Sequence, residues 1–273
     1  MPAIAFFMEP VKGICFLMKN ITSRNNEIFK NALKLTRKKY RDAEGRYLLE
    51  GVKPLRDAFA QGLDVEWVFL RKTSAPGIGV IGEGIRIAVL EDRLFDEISD
   101  TETSQGVIAV VRKNPRDCFG FMGPGTAVIL DRLQDPGNIG TIIRTAEAAG
   151  CSAVLAVKGT GDIYSPKVVR SAAGSIMRMP VADNLEPEEA ADLCRQAGKK
   201  IAVSCLEDAE SYMEADLGAD TAIVIGNEGR GVSEEFMKLA DVKVKIPMKG
   251  EIESLNAAVA AGILMFAAAG KVK

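Results

Sequence analysis

TAVILDRLQDPGNIGTIIRTAEAAG (126–150) decides the fold of this chain. Thr126 to Leu130 form an apolar run of strand length, after which the hydrophobic period changes. Asp135-Pro136-Gly137 reads as a turn. Asn138 reads as the N-cap of a helix, and Ile139, Ile142, Ile143 and Ala146 recur on its buried side. Arg144 projects from another face. Gly140, one turn earlier, reads as leaving room over Arg144 for a ligand or phosphate. AVLAV (153–157) is the next strand. Near-continuous apolar strands joined by helices imply a parallel sheet covered on both faces. Taken alone, the stretch suits an ordinary connector with a surface arginine equally well.

Working outward, further strands are expected at RMPVA (178–182), IAVSC (201–205), AIVIG (222–226) and VKVKIP (242–247), with a last helix from about Leu255 to Ala268. Ligands of such sheets bind at the carboxyl ends of strands, so chemistry is expected in the loops after Leu130, Gly226 and Pro247. Toward the N-terminus, YLLEG (47–51), VEWVFLRK (65–72), IRIAVL (85–90) and GVIAVVRK (106–113) read as strands, and VKPLRDAFAQG (52–62) as a helix capped by Gly62. Asn114-Pro115, Pro124 and nearby glycines mark a domain boundary. The expected division is an N-terminal extension over 1–20, poorly ordered and with Met18 as the natural start, a small α/β domain over 21–115, and a second domain over 120–273.

The chain has 273 residues and 47% hydrophobic content, enough for one large or two modest domains. The apolar start, Met1 to Met18, has no basic residue ahead of its first apolar stretch. It is interrupted by Glu9 and Lys12 and followed by no Ala-x-Ala-like site, so it does not read as a signal peptide. No apolar run approaches the roughly 20 residues of a membrane helix, and a cytoplasmic location without membrane contact is expected. Five cysteines (Cys15, Cys118, Cys151, Cys194, Cys205) never fall at CxxC spacing, and there is no histidine. A zinc site, a disulfide framework and any imidazole base are thereby set aside, and no metal is expected.

Net charge is −2, but eleven lysines and arginines face four acids between Lys19 and Arg56. RNNEIFKNALKLTRKKYR (24–41) reads as one amphipathic helix with Arg37, Lys38, Lys39 and Arg41 near its end, a candidate polyanion contact. A solvated basic helix face explains the same charges as well. Gly77-Ile78-Gly79-Val80-Ile81-Gly82 fits the dinucleotide fingerprint, but a strand rather than a helix follows it. It reads as a loop.

AIVIGNEGRGVSEEF (222–236) runs a buried strand into three glycines, which let a backbone approach a ligand closely. Glu234 and Glu235 at the next helix start disfavour phosphate and suit a neutral or cationic cofactor. VKVKIPMKGEIESLNAAVAAGILMF (242–266) ends a strand at Ile246-Pro247-Met248. It then opens a helix of small residues at Ser254-Leu255-Asn256, which a packed core helix alone does not account for.

Asn138–Gly140–Arg144, Gly226-Asn227-Glu228-Gly229, and Ile246-Pro247-Met248 with Ser254-Leu255-Asn256 occur in this order. Together they resemble the three signature motifs of the SpoU family of RNA 2′-O-methyltransferases, a branch of the SPOUT superfamily. RNNEIFKNALKLTRKKYRDAEGRYLLEG and TETSQGVIAVV (101–111) are similar to that family's substrate-binding domain and its exit, so the resemblance runs from about Ile21 to the end. It implies an α/β fold whose C-terminal, mostly parallel sheet carries a deep trefoil knot, preceded by a small RNA-binding α/β domain. It further implies S-adenosylmethionine as cofactor, lined by Gly226, Asn227, Gly229, Ile246, Met248 and Leu255. Arg144, Asn138, Glu228, Ser254 and Asn256 are the implied catalytic set, Arg144 clamping the target phosphate because a guanidinium is a poor base. Arg37, Lys38, Lys39 and Arg41 are the implied RNA contacts, and a homodimer with Arg144 serving the partner's pocket is implied as the assembly. The separate substrate domain favours 23S ribosomal RNA over transfer RNA as target. A transfer-RNA methyltransferase, a non-catalytic RNA-binding assembly factor of the same fold, and a nucleotide-dependent doubly wound enzyme remain the alternatives.

Overall fold

A computed structural model describes residues 18–74, 85–113, 122–218, 220–252 and 254–270. The chain forms two compact units, the first made of residues 1–114 with 164–166 and the second of residues 115–163 with 167–273.

The first unit contains β1 (Met18–Ile21), α1 (Glu27–Lys34), α2 (Lys38–Glu44), β2 (Arg46–Glu50), α3 (Val52–Ala60), β3 (Val65–Arg71), β4 (Arg86–Leu90), α4 (Asp92–Ile98) and β5 (Val107–Arg112). Its five strands lie in the order β1-β4-β3-β5-β2. β1, β4 and β3 are parallel, and β5 runs antiparallel to β3 and β2. Phe29, Phe69 and Phe95 are fully buried in its core. Gly62 turns the chain at the end of α3 with φ +65°, as expected of a residue just past a helix end.

Two expectations for this unit need correction. The supposed extension over 1–20 reaches into the sheet, because residues 18–20 belong to β1 and pair with β4; residues 1–17 lie outside the described residues, as does the glycine-rich 77–82 segment. The single helix expected over 24–41 is two helices. Asn26 caps α1, its Oδ1 accepting from the N–H groups of Ile28 and Phe29. The chain then turns at Leu35–Arg37, where the Thr36 hydroxyl donates to the Leu33 carbonyl. Basic residues on both sides of the break obscure it in the sequence.

The second unit contains β6 (Ala127–Leu130), α5 (Pro136–Ala148), β7 (Ala153–Val157), α6 (Pro166–Ser171), a 3-10 turn (Ser175–Met177), β8 (Val181–Leu185), α7 (Pro187–Gln196), β9 (Lys200–Ser204), β10 (Glu210–Ser211), β11 (Thr221–Ile225), α8 (Glu234–Leu239), β12 (Val242–Lys245) and α9 (Ala257–Gly270). The strand order is β10-β12-β9-β11-β6-β7-β8, and every described pairing is parallel. β6, β7 and β11 are buried along their whole length, as strands covered on both faces must be. β8 starts at Val181 rather than at Arg178. The N–H groups of Arg178 and Met179 both bond back to Ser175, closing a turn that delays the strand. Among the described residues, no helix is long and apolar enough to cross a membrane.

Candidate active site

The strand order puts the carboxyl ends of β6 and β11 side by side, and the expected motifs follow them directly. Asp131 to Asn138 lead from β6 into α5, and Gly226 to Ser233 lead from β11 to α8. Ile246 to Met248 follow β12, and Ser254 to Asn256 precede α9.

α5 is capped by Asp135, not by Asn138. Asp135 Oδ1 accepts the N–H of Asn138 at 2.8 Å, and Pro136 fills the first helical position. Asn138 therefore sits inside the first turn with its amide free to serve the site. Its Nδ2 donates to Glu228 Oε1 at 3.1 Å, and its Oδ1 accepts from Asn256 Nδ2 at 2.8 Å. Asn256 Oδ1 in turn accepts the N–H groups of Ala258 and Val259 and so caps α9. Glu228, Asn138 and Asn256 thus form one hydrogen-bonded chain drawn from three separated segments. Each amide nitrogen has two hydrogens and spends one within the chain, which leaves one N–H on Asn138 and one on Asn256.

Glu228 also accepts the backbone N–H groups of Gln134 at 3.2 Å and Asp135 at 3.1 Å. Partial burial pushes its carboxyl up. The hydrogen bonds from Asn138 and the backbone outweigh that and hold it below the usual carboxylate value. At neutral pH Glu228 is an anion.

The glycines do other work than expected. A Cβ on Gly140 would stand 2.5 Å from Ser171 Cβ and 2.7 Å from the Val168 carbonyl oxygen. Gly140 lets α5 pack against α6; it does not open space over Arg144. A Cβ on Gly226 would strike the backbone of Gly231 and Val232. The loop folds on itself there, with Asn227 and Gly231 exchanging backbone hydrogen bonds at 2.9 Å. The Asn227 amide is used within this framework. Its Nδ2 donates to the Arg132 carbonyl, and its Oδ1 accepts from Gly229 and Arg230.

Arg144 is exposed and has no hydrogen bond or ion pair with any described residue. Six residues beyond Asn138, it lies about 120° around the helix from it. Ser254 is exposed and likewise has no described hydrogen bond. The geometry gathers three of the five expected catalytic residues and leaves these two apart. Of the basic residues on α1 and α2, Arg37 and Lys39 are exposed, and Lys38 pairs with Asp42 at 2.7 Å. Arg41 is only 4% exposed, and its Nη1 donates to the Leu35 carbonyl. It holds the turn between the helices together and is corrected from an RNA contact to a structural residue.

Sequence reasoning missed Asp131, Arg132 and Gln134. Asp131 is buried and accepts the Ser233 N–H at 2.6 Å, fixing the start of α8. Arg132 has a left-handed backbone, φ +60°, and pairs with Glu235, whose carboxyl that guanidinium draws down to about 2. The Gln134 amide donates to the carbonyls of Arg132 and Gly159. Their signal was present in DRLQDPGN, whose polar residues follow a buried strand. Among the described residues, no group of histidine, cysteine and acidic side chains is placed to hold a metal.

This arrangement, three motif segments converging at the carboxyl ends of a parallel sheet, has close counterparts. Residues 125–266 match the SpoU rRNA Methylase family, and residues 25–109 match the MRM3-like substrate binding domain. The chain is 34% identical to the 23S rRNA (guanosine(2553)-2′-O)-methyltransferase RlmP of Bacillus subtilis, over 91% of this chain and 98% of that protein. It is 31% identical to the 23S rRNA (uridine(2479)-2′-O)-methyltransferase of Streptomyces viridochromogenes, over 92% and 91%. An AdoMet-bound rRNA methyltransferase from Sinorhizobium meliloti superposes with a TM-score of 0.83 at 30% identity, covering 94% of this chain and 99% of that one. The SpoU methyltransferase AviRb from Streptomyces viridochromogenes, in complex with AdoMet, superposes with a TM-score of 0.78 at 29% identity, covering 90% and 98%. The chain belongs to the SpoU rRNA methylase family.

Proposed function

We propose that this protein transfers a methyl group from S-adenosylmethionine to a ribose 2′-hydroxyl of 23S ribosomal RNA. The observation that carries this reading is the Glu228–Asn138–Asn256 chain, which ties the three motif segments together at the carboxyl ends of β6 and β11. The names of the Bacillus and Streptomyces relatives support the ribosomal target over transfer RNA. An intact polar network argues against a non-catalytic assembly factor.

The residues present suit the cofactor. Its sulfonium is cationic, and Glu228 is an ionised carboxylate beside two amides with spare N–H groups. Gly226, Ile246, Met248 and Leu255 would line it, with Asn227 and Gly229 shaping the loop between them. When bound, S-adenosylmethionine supplies an electrophilic methyl group. The chain's own contribution is position and charge. Asn138 and Asn256 orient the ribose through their free N–H groups, and Ser254 lies two residues from Asn256 on the approach to it. In-line placement of this kind accounts for much of the rate that such transfers need.

Arg144 lies about 120° around α5 from its own Asn138 and has no partner among the described residues, which supports a role toward a second subunit. We read the assembly as a homodimer in which the Arg144 guanidinium of one copy clamps the target phosphate in the pocket of the other. Exposed Val259 and Phe266 on α9, which packs on α5 through Gly262 and Thr145, suit such an interface. The trefoil knot belongs to the same reading. It is supported by β12, late in the chain, lying between β9 and β10. The first unit is the RNA-binding domain and the second the catalytic one, working in the cytoplasm.

The test is transfer of labelled methyl from S-adenosylmethionine to an unmodified 23S transcript, followed by alkaline hydrolysis. An alkali-resistant labelled dinucleotide is expected. Label found in alkali-sensitive products, or in transfer RNA alone, would overturn the assignment.

A further inference from the structure

The chain has one tryptophan, Trp67, and two cations share it. Lys19 Nζ stands 6.0 Å and the Arg86 guanidinium carbon 5.8 Å from the centre of its ring. The sheet dictates this meeting. β1, β4 and β3 lie side by side and parallel, with Arg86 opposite Trp67 and Ala88 opposite Lys19. Side chains two residues apart along a strand share a face. Ile21, Ala88 and Phe69 are buried there against residues of α1 and α4. Lys19, Arg86 and Trp67 come two residues before them and emerge at the rim. Trp67 is half-buried and stacked on Phe69, with ring centres 6.2 Å apart. Lys19 and Arg86 are exposed, and neither has an ion pair with any described residue. Exposed cation–π pairs add little to stability, so folding alone does not account for the cluster.

The same end of the unit is basic. α1 returns from the carboxyl end of β1, and Leu33 in its last turn packs against the same core as Trp67. α2 leads straight into β2, where Arg46 pairs with Arg112 at the end of β5. β5 ends where β3 begins. Exposed Arg37 and Lys39 therefore lie at the same end of the sheet as Trp67. The acids of α2 and of these strand ends are all engaged. Asp42 pairs with Lys38 and Lys113, Glu44 with Arg46, Asp64 with Arg112, and Glu66 with Arg46 and Arg112. Lys19, Arg37, Lys39 and Arg86 are left unneutralised around an indole.

An aromatic ring flanked by free cations suits a single strand of nucleic acid, whose bases stack and whose phosphates meet the charges. An acidic peptide would satisfy the cations and leave the indole without a stacking partner. We propose that an unpaired base of the RNA substrate stacks on Trp67, with Lys19 and Arg86 holding the phosphates beside it. The proposal rests on the reading of the first unit as the RNA-binding domain and adds a stacking site to it.

Because Trp67 is the single tryptophan, its emission reports on the site in the full-length protein without any substitution. A labelled, mixed-sequence single-stranded RNA oligonucleotide is titrated in, and binding is followed by the anisotropy of the label. Tryptophan emission should be quenched in step with binding. Lys19→Ala with Arg86→Ala should lower the slope of log K against log salt by about 1.4, roughly 0.7 for each single-strand phosphate that is no longer neutralised. Trp67→Ala should weaken binding on the order of tenfold with the slope unchanged, and Trp67→Phe, which keeps an aromatic face, should bind nearly as the parent does. Lys72→Ala, just past the carboxyl end of β3, should leave the slope alone. Unchanged emission at RNA saturation overturns the proposal, as does an unchanged slope in the double variant. Polyglutamate that quenches as RNA does and competes with it also overturns the proposal, since the site would then read charge without bases. RNA that fails to bind the parent at all refutes the RNA-binding reading too. That result is distinct from bound RNA with unchanged emission, which refutes the stacking site alone.

Discussion

Asn256 Nδ2 donates to Asn138 Oδ1 at 2.8 Å, joining the cap of α9 to the first turn of α5 across 118 residues of chain. The same side chain therefore caps α9 and, in the proposed reading, also positions the site, and two substitutions separate the two duties. Asn256→Ala should cost about 1 kcal/mol of stability, the usual loss for a helix cap, together with methyl transfer. Asn256→Asp keeps an acceptor for the N–H groups of Ala258 and Val259 but sets a carboxylate oxygen against Asn138 Oδ1. Its melting temperature should stay near the parent's while kcat falls on the order of tenfold or more. Equal loss of stability in both variants would remove the positioning duty.

Glu228 has a pH signature. Its carboxyl lies below the ordinary value in the folded protein, so its contribution to stability is complete above the unfolded carboxylate pKa. That contribution is lost as pH falls through the lower, folded one. Glu228→Gln should be less stable than the parent at pH 7, by about 1 kcal/mol given its exposure, and the gap should narrow below about pH 4.5, near the unfolded carboxylate value. Urea midpoints at neutral pH and about one unit below that value give the comparison; a constant gap would show that charge is not involved.

Gly140→Ala sets two effects against each other. Alanine favours a helix by up to about 1 kcal/mol, whereas the new Cβ meets Ser171 and the Val168 carbonyl, and overpacking costs about 1–3 kcal/mol. Net destabilisation is expected, visible as a lowered melting temperature. A rise would mean that α6 yields easily.

The proposed crossed site can be tested by complementation. Arg144→Ala and Asn256→Ala homodimers should each be poor, Arg144→Ala by about a hundredfold for a lost positioned charge. In a mixed dimer one site collects both lesions and the other neither, so activity should return on co-refolding. Mass-verified mixed dimers that stay inactive would place Arg144 and Asn256 of one chain in one site.

In the first unit, neutralising Arg37 and Lys39 should weaken RNA binding and flatten its salt dependence. Arg41→Ala should instead lower the melting temperature, because it removes the donor to the Leu35 carbonyl. A salt slope that responds to Arg41→Ala at unchanged stability would restore Arg41 as a phosphate contact.

The parallel sheet is legible in the sequence because its strands are buried on both faces, so AVIL, AVLAV and TAIVI stand out without any periodicity. Glu228, Asn138 and Asn256 are legible through motif order. Their mutual bonding is not, since it depends on which side-chain nitrogen faces which oxygen. Asn138 reads as a cap because Asp135, three residues earlier, offers the same chemistry, and only backbone geometry separates them. Gly140 and Gly226 read as making room for ligands, when what fills the space beside each is the protein's own backbone. That partner comes from elsewhere in the chain, and local sequence does not name it. β10, two residues long, gives no hydrophobic signal at all.

The pairing of β6 with β11 has a consequence for synthesis. These two strands are neighbours in the sheet, yet Leu130 and its partner Ile225 are far apart in the chain. β10 has a shorter wait, since its partner β12 follows at residues 242–245. A nascent chain that has passed Lys200 can complete its first unit and a β6–β7–β8 fragment. The centre of the second sheet stays open until the last quarter of the message is read, and loop closure over such separations is slow. Ribosome pausing late in the message, or C-terminal truncation, should therefore lower the yield of folded second unit far more than that of the first.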